Sequence, residues 1–139
     1  MGAGVAVGAM VLTVSLPSFS APPHLTTRKS TQQLNAFVAL EPDGSVTVLT
    51  PFVEMGQGVH TAIPMLVAEE LDVSMDQINV REAPLGPEYR LHFGGKSRYT
   101  GSSLTIKSAF IPLRQAGAAA RAMLLQSAVQ KWNVPFDEL

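Results

Sequence analysis

Apolar and polar residues follow several rhythms along the chain, and each rhythm predicts an element. Ala36-Phe37-Val38-Ala39-Leu40 and Val46-Thr47-Val48-Leu49 are β-prone runs parted by Glu41-Pro42-Asp43-Gly44-Ser45. In that spacer Pro presets φ, Asp bonds its own backbone and Gly accepts positive φ, so the runs and the turn together predict a β-hairpin. Further on, Val59, Ile63, Leu66, Val67 and Leu71 recur at helical spacing while Glu69, Glu70 and Asp72 fall elsewhere. This is the pattern of an amphipathic helix, with Pro64 tolerated in or near its first turn, where a missing N–H costs little. Ile78-Asn79-Val80-Arg81 alternates as a strand does, after a short turn at Ser74-Met75-Asp76, and residues 84–99 read as loop.

The longest periodic stretch sets Ser103, Ile106, Phe110, Leu113, Gly117, Ala120 and Leu124 three or four apart, which predicts a long helix. Its apolar stripe narrows from Phe110 to Gly117 and Ala120, so another element is expected to approach closely there. Pro112 predicts an end or a kink within the stretch, and Asn133-Val134-Pro135 a stop. Phe136 to Leu139 reads as the beginning of something further. Strand, strand, helix, strand, long helix is the order of an α+β fold with α/β-like layers. The expected architecture is a small mixed sheet containing the β-hairpin, with one medium helix and one long C-terminal helix.

Upstream of this domain the pattern changes. Residues 1–27 carry no fixed charge, and Gly4 to Leu12 forms an apolar centre followed by Ser18-Phe19-Ser20 before Ala21. Residues 1–20 therefore read as an export signal, which implies a periplasmic or exported protein, although the positive stretch that should precede the apolar run is missing. A membrane anchor is the competing reading; Pro17 ends the run short of the roughly 20 residues needed to cross a bilayer. Residues 21–33 are rich in Pro, Thr, Ser and Gln without periodicity and read as an extended connector. The remaining residues, 34–139, have the length of one domain.

Composition narrows the chemistry. Net charge is −1 with a pI of about 6.3, so no basic field points to nucleic acid. The absence of cysteine excludes disulfides, thiolate metal sites, iron–sulfur ligation and cysteine nucleophiles within this chain. His24, His60 and His92 lack the paired spacing of a zinc helix. Glu69-Glu70 reads as one solvated carboxylate and one on the helix flank rather than an acid/base pair.

Two glycine loops remain as candidate sites. Gly56-Gln57-Gly58 lies between a strand and a helix, where backbone amides are expected to point at a polar or anionic ligand. Gln57 offers a donor and an acceptor together, which suits a neutral heterocycle; the bland alternative is plain turn geometry. Tyr99-Thr100-Gly101-Ser102-Ser103 precedes the long helix and offers hydroxyls and fresh amides for phosphate. Its bland alternative is that Ser102 or Ser103 caps the helix. Gly95-Lys96-Ser97 looks like the end of a P-loop, but Arg90 stands where that pattern needs glycine and no strand leads into it. Two similar loops in one small domain suit the two ends of one extended, phosphate-bearing ligand.

Taken together, Leu34-Asn35-Ala36-Phe37-Val38, Pro42-Asp43-Gly44, Glu54-Met55-Gly56-Gln57-Gly58-Val59-His60-Thr61 and Val67-Ala68-Glu69-Glu70-Leu71 form a longer string. With Thr100-Gly101-Ser102-Ser103, Pro112 to Arg121 and Trp132-Asn133-Val134-Pro135, it resembles the start of a molybdopterin-binding large subunit. The subunit is that of the isoquinoline 1-oxidoreductase-like aldehyde dehydrogenases of the xanthine dehydrogenase family. The likeness covers nearly everything after the connector. It implies that Met55, Gly56, Gln57 and Gly58 contact a molybdenum pyranopterin. It also implies that Thr100, Gly101, Ser102 and Ser103 hold its phosphate or attached nucleotide, as in molybdopterin cytosine dinucleotide. Ser102 stands where relatives usually carry a second glycine, and Leu104 where a hydroxyl residue is common.

By the same likeness residues 34–139 are a partial cofactor-binding domain, truncated at the C-terminus. The family's glycine-phenylalanine-glycine loop and its catalytic glutamate belong to later sequence, so no catalytic residue is expected here and the isolated chain is expected to be inactive. The implied partners are the remainder of the large subunit, a small subunit that holds the iron–sulfur clusters, and an aldehyde or N-heterocycle as substrate. Relatives usually export through a twin-arginine signal, and no arginine pair precedes the apolar run here. Two other readings stand beside this one: an exported module that binds a phosphate-bearing small molecule without redox chemistry, and a structural remnant without ligand.

Overall fold

The computed structural model describes residues 31–139; the signal-like segment and most of the connector lie outside the described residues. Four strands form one sheet in the order β1 (Gln32–Gln33), β2 (Val38–Leu40), β3 (Val46–Thr50) and β4 (Ile78–Glu82). β1 pairs antiparallel with β2, so the last two residues of the connector add a short edge strand. β2 and β3 form the expected hairpin, with Val38 opposite Val48 and Leu40 opposite Val46. The Asp43 carboxylate accepts from the Ser45 amide at 2.9 Å, the local bond that Asp contributes to such turns.

β3 and β4 run parallel from Val46↔Ile78 to Thr50↔Glu82. Two parallel strands need a crossover, and α1 (Val59–Leu71) provides it. All five residues of β3 are buried, as befits a central strand covered on both faces. The sheet is mixed and the class is α+β, with α1 and a second helix, α2 (Thr105–Trp132), accompanying it.

α1 buries Val59, Ile63, Pro64, Val67, Ala68 and Leu71, the anticipated face with Leu66 at its margin. Pro64 is the sixth helical residue and so lies in the second turn; the bond it forgoes is the one to the His60 carbonyl. Asp72 closes the helix in a left-handed conformation, its amide bonded to the Ala68 carbonyl.

α2 runs unbroken through Pro112, contrary to the expected break. The reason is tertiary: Ala109, Leu113 and Ala116 are buried on either side of Pro112, which is itself half-buried, and packing holds the axis where local propensity would end it. The buried stripe is Ala109, Leu113, Ala116, Gly117 and Ala120, so Phe110 and Ile106 lie off it and are partly exposed. Small residues fill the contact because α1 lies very close. A Cβ at Gly117 would stand 2.7 Å from the Val67 carbonyl oxygen and 3.2 Å from the Val67 Cα. Asn133 in the left-handed conformation ends the helix.

Polar residues tie the layers together. Asn35 accepts from the amides of Phe37 and Val38 and donates to the Ala116 carbonyl at 3.0 Å, linking the sheet to α2. Glu70 on the flank of α1 pairs with Arg114 of α2, whereas Glu69 is exposed. Within residues 84–99, a stretch with the sequence character of loop, Tyr89 is fully buried and donates to the Ala36 carbonyl at 2.9 Å. Burial raises its phenol pKa to about 12.

The helix contact supplies a stability test. Gly117→Ala is expected to destabilise the fold by roughly 1–3 kcal/mol, because the added methyl meets backbone that cannot turn aside. Denaturant unfolding would check this; a variant as stable as the parent would contradict the α1–α2 packing.

Candidate functional site

The parallel pairing of β3 and β4 has a direct consequence for the site. Both strands deliver their following loops at the same, carboxyl-terminal edge of the sheet, where open α/β sheets place their ligands. The loop after β3 spans residues 51–58 and leads into α1; the segment after β4 spans residues 83–104 and leads into α2. The two glycine loops therefore emerge side by side.

Two hydrogen bonds fix them together, and a third braces Arg98 within its own segment. Arg98 donates from Nε to the Pro51 carbonyl at 2.8 Å and from its terminal nitrogen to the Pro84 carbonyl at 2.7 Å. The Val53 amide donates to Thr100 Oγ1 at 2.9 Å. The Thr100 hydroxyl thus accepts from the neighbouring loop, which brings the start of the second glycine loop against Val53, two residues before Met55.

The first loop is closed on itself, which differs from the expectation of free amides. Glu54 reaches over the start of α1: Oε1 accepts from Gly56 at 2.7 Å and from Gly58 at 3.0 Å, and Oε2 accepts from His60 at 2.9 Å. Gly56 (φ 92°) and Gly58 (φ 82°) adopt left-handed conformations that turn alternate amides to one side, where the carboxylate lies. Gln57 is likewise turned inward, its Nε2 donating to the Val53 carbonyl at 2.8 Å and its Oε1 accepting from the Met55 amide. His60 Nε2 lies 3.1 Å from the Phe52 carbonyl. What this loop leaves open are the amide of the exposed Gln57 and the exposed Met55 side chain, whereas Val59 is buried in the core.

Three amide donors also explain the charge state of Glu54. The bonds from His60, Gly58 and Gly56 hold its carboxyl down at about 2, well below the usual 4.5. Sequence reasoning passed over this residue. Its signature was readable: a carboxylate followed by glycines two and four positions later, at a helix start whose N-cap, Gly58, has no side chain to cap with.

The second loop is open. Ser102 and Ser103 are exposed, with φ of 54° and 53°, and neither caps α2; the N-cap is Leu104, without a side-chain bond to the helix. No acidic residue stands in the first turn of α2, and Lys107 does. Gly101 packs against Tyr99, whose ring a Cβ there would meet at 2.8 Å. Behind the loop Tyr99 stacks on Phe93 and lies 4.7 Å from the buried His92 ring, which in turn meets Phe52 edge-on.

Gly95-Lys96-Ser97 forms the tip of a tight hairpin whose amides all donate to the His92 carbonyl, so it is not a phosphate cradle. Among the described residues no cluster of three His, Asp or Glu side chains forms a metal site, and no helix is long and apolar enough to cross a membrane.

The candidate site is thus a parallel strand pair with two loops at its carboxyl edge, one helix start uncapped and the other closed by a carboxylate. The profile of the molybdopterin cofactor-binding domain matches residues 1–139, and the chain belongs to that family, within the xanthine dehydrogenase group of proteins. It is 42% identical over 106 residues to the beta chain of isoquinoline 1-oxidoreductase from Brevundimonas diminuta, covering 76% of this chain and 14% of that protein. It is 33% identical over 126 residues to a nicotinate dehydrogenase subunit of Pseudomonas putida, covering 91% of this chain and 10% of that protein. A 50-residue stretch is 42% identical to the xanthine dehydrogenase of Blastobotrys adeninivorans, covering 36% of this chain and 4% of that enzyme. The aligned stretches thus span only about a tenth to a seventh of the lengths of the first two relatives.

Two measurements test this geometry. A depressed carboxyl pKa contributes stability that is complete above the usual 4.5 and disappears as pH falls through about 2. The stability gap between the parent and Glu54→Gln should therefore be widest above pH 4.5 and shrink steadily toward pH 2, as read from unfolding curves; a gap independent of pH would contradict the three-amide clasp. Separately, Ser102→Gly should stabilise by about 0.5–1 kcal/mol, because a left-handed serine is strained where glycine is not and the looser unfolded chain returns only part of the gain. A loss of similar size would show that the Ser102 hydroxyl holds the loop.

Proposed function

We propose that this chain is the portion of a molybdenum hydroxylase large subunit that grips the two ends of the pyranopterin cofactor. The observation that carries the reading is the Val53–Thr100 bond, which joins the loop holding Met55 to Gly58 to the loop holding Thr100 to Ser103 at one sheet edge. Family membership supplies the cofactor class, and the residues present fit it. The uncapped start of α2, with exposed Ser102 and Ser103 and no nearby acid in its first turn, offers donors and favourable charge for a phosphate or attached nucleotide. The amide of the exposed Gln57, beside the apolar Met55, suits an uncharged ring edge.

In this reading the cofactor, when bound, supplies oxidation of an aldehyde or N-heterocycle with oxygen from water and passes electrons to an iron–sulfur subunit. The chain's own part is placement. Arg98 and Thr100 fix the spacing of the two loops, so the cofactor meets a cradle already formed and little ordering entropy remains to be lost. The cytosine dinucleotide form of the cofactor, the rest of the large subunit, the iron–sulfur partner and export by the apolar segment belong to the same proposal.

In the full-length enzyme, Gln57→Ala and Gly101→Val should each lower molybdenum content and activity together, by tenfold or more, about 1.4 kcal/mol of binding. Lys131→Ala, at the far end of α2, should leave both unchanged. Full metal content and activity in both loop variants would overturn the assignment.

A further inference from the structure

The two loops differ in one respect that their shared glycine pattern conceals. The start of α1 is an anion site whose three alternate amides already hold a carboxylate, that of Glu54. The start of α2 has no carboxylate in its first turn, no side-chain cap and a lysine at its third position. We propose that Glu54 is a specificity-determining residue: a built-in anion that occupies the amides of Gly56, Gly58 and His60 and thereby excludes phosphate from the α1 corner.

Backbone geometry supports this beside the hydrogen bonds themselves. Both carboxylate oxygens are engaged, by three donors of one loop, and the left-handed glycines belong to the turn that aims those donors at the carboxylate. The bond between His60 Nε2 and the Phe52 carbonyl closes the same loop from behind. A phosphate arriving here would have to expel a carboxylate that is tethered only two residues from its first donor, at very high effective concentration, and would meet its negative charge before doing so. The remaining open amide, that of the exposed Gln57, then meets a ligand with the helix dipole already answered by Glu54. This corner is left for an uncharged ring edge and the α2 corner for the charged end, which sets the direction in which an extended ligand lies. The exclusion of anions rests on this loop alone; its meaning for ligand direction rests on the cofactor reading.

The test is chemical rescue, followed by amide resonances in the full chain. In the parent, millimolar inorganic phosphate should leave the amides of Gly56, Gly58 and His60 unmoved. In Glu54→Ala the same amides should shift with added formate or phosphate, and formate should restore most of the melting temperature the variant loses while leaving the parent unaffected. Should Glu54→Ala fold only in the presence of formate, that too supports the proposal. Glu54→Gln keeps the size and one acceptor oxygen of the side chain and serves where the alanine variant fails; it should admit phosphate where the parent does not. Parent amides at Gly56, Gly58 and His60 that follow added phosphate would overturn the proposal, as would variants whose loop ignores both anions. None of these readouts uses the pterin, so failure of the cofactor reading and failure of this inference are separable.

Discussion

The site depends on the parallel register between β3 and β4. Had β4 returned antiparallel, the loops after Thr50 and Glu82 would leave from opposite edges of the sheet, and the glycine-bearing segments would never meet. α1 enforces the parallel sense by carrying the chain back along the sheet, and its own position is fixed by contact with α2. Gly117 lets the backbone of α2 lie against Val67, and from there the path to the site is short, because both helices begin at the loops in question. Packing of two helices and placement of two loops are therefore one constraint rather than two.

Within that frame the loops are built differently. The loop before α1 satisfies most of its own donors through Glu54 and Gln57, so its shape exists before any ligand arrives. The loop before α2 leaves its helix start uncapped and holds Ser102 and Ser103 in left-handed conformations. Non-glycine residues at positive φ are strained, so the surrounding fold holds this turn in place. Arg98 and Thr100 join the closed loop to the open one, so the two answer to a single spacing.

Much of this was legible in the residues. The Pro42-Asp43-Gly44 turn, the face of α1, the alternation of β4 and the small residues of α2 each point to the element that forms, because local propensity and burial agree there. Legibility fails where tertiary contact decides. Pro112 sits inside a helix because Ala109 and Leu113 are packed around it, and Phe110 and Ile106 lie off the buried stripe because α1 comes too close for anything larger than alanine or glycine at its centre. Tyr89 and His92 are buried in a stretch whose prolines, glycines and charges read as exposed loop, and no periodicity could reveal a single tyrosine reaching the Ala36 carbonyl. In the site, glycine spacing marked both loops, but three amides of one are spent on Glu54, whose spacing from Gly56 and Gly58 is written in the sequence while its curl back over the helix start is not. The joining of the loops through Thr100 and Arg98 spans 47 residues of sequence in each case and has no local signature.

The central claim, that both loops hold one pyranopterin in a fixed direction, is tested most directly by a crystal structure of the full-length protein with its cofactor bound. The account predicts a single cofactor spanning both loops, its phosphate beside Ser102, Ser103 and the first amides of α2, and its ring edge beside Gln57 with Glu54 still on its three amides. A phosphate seated on Gly56 and Gly58 with Glu54 displaced, or a cofactor touching only one of the two loops, would contradict it.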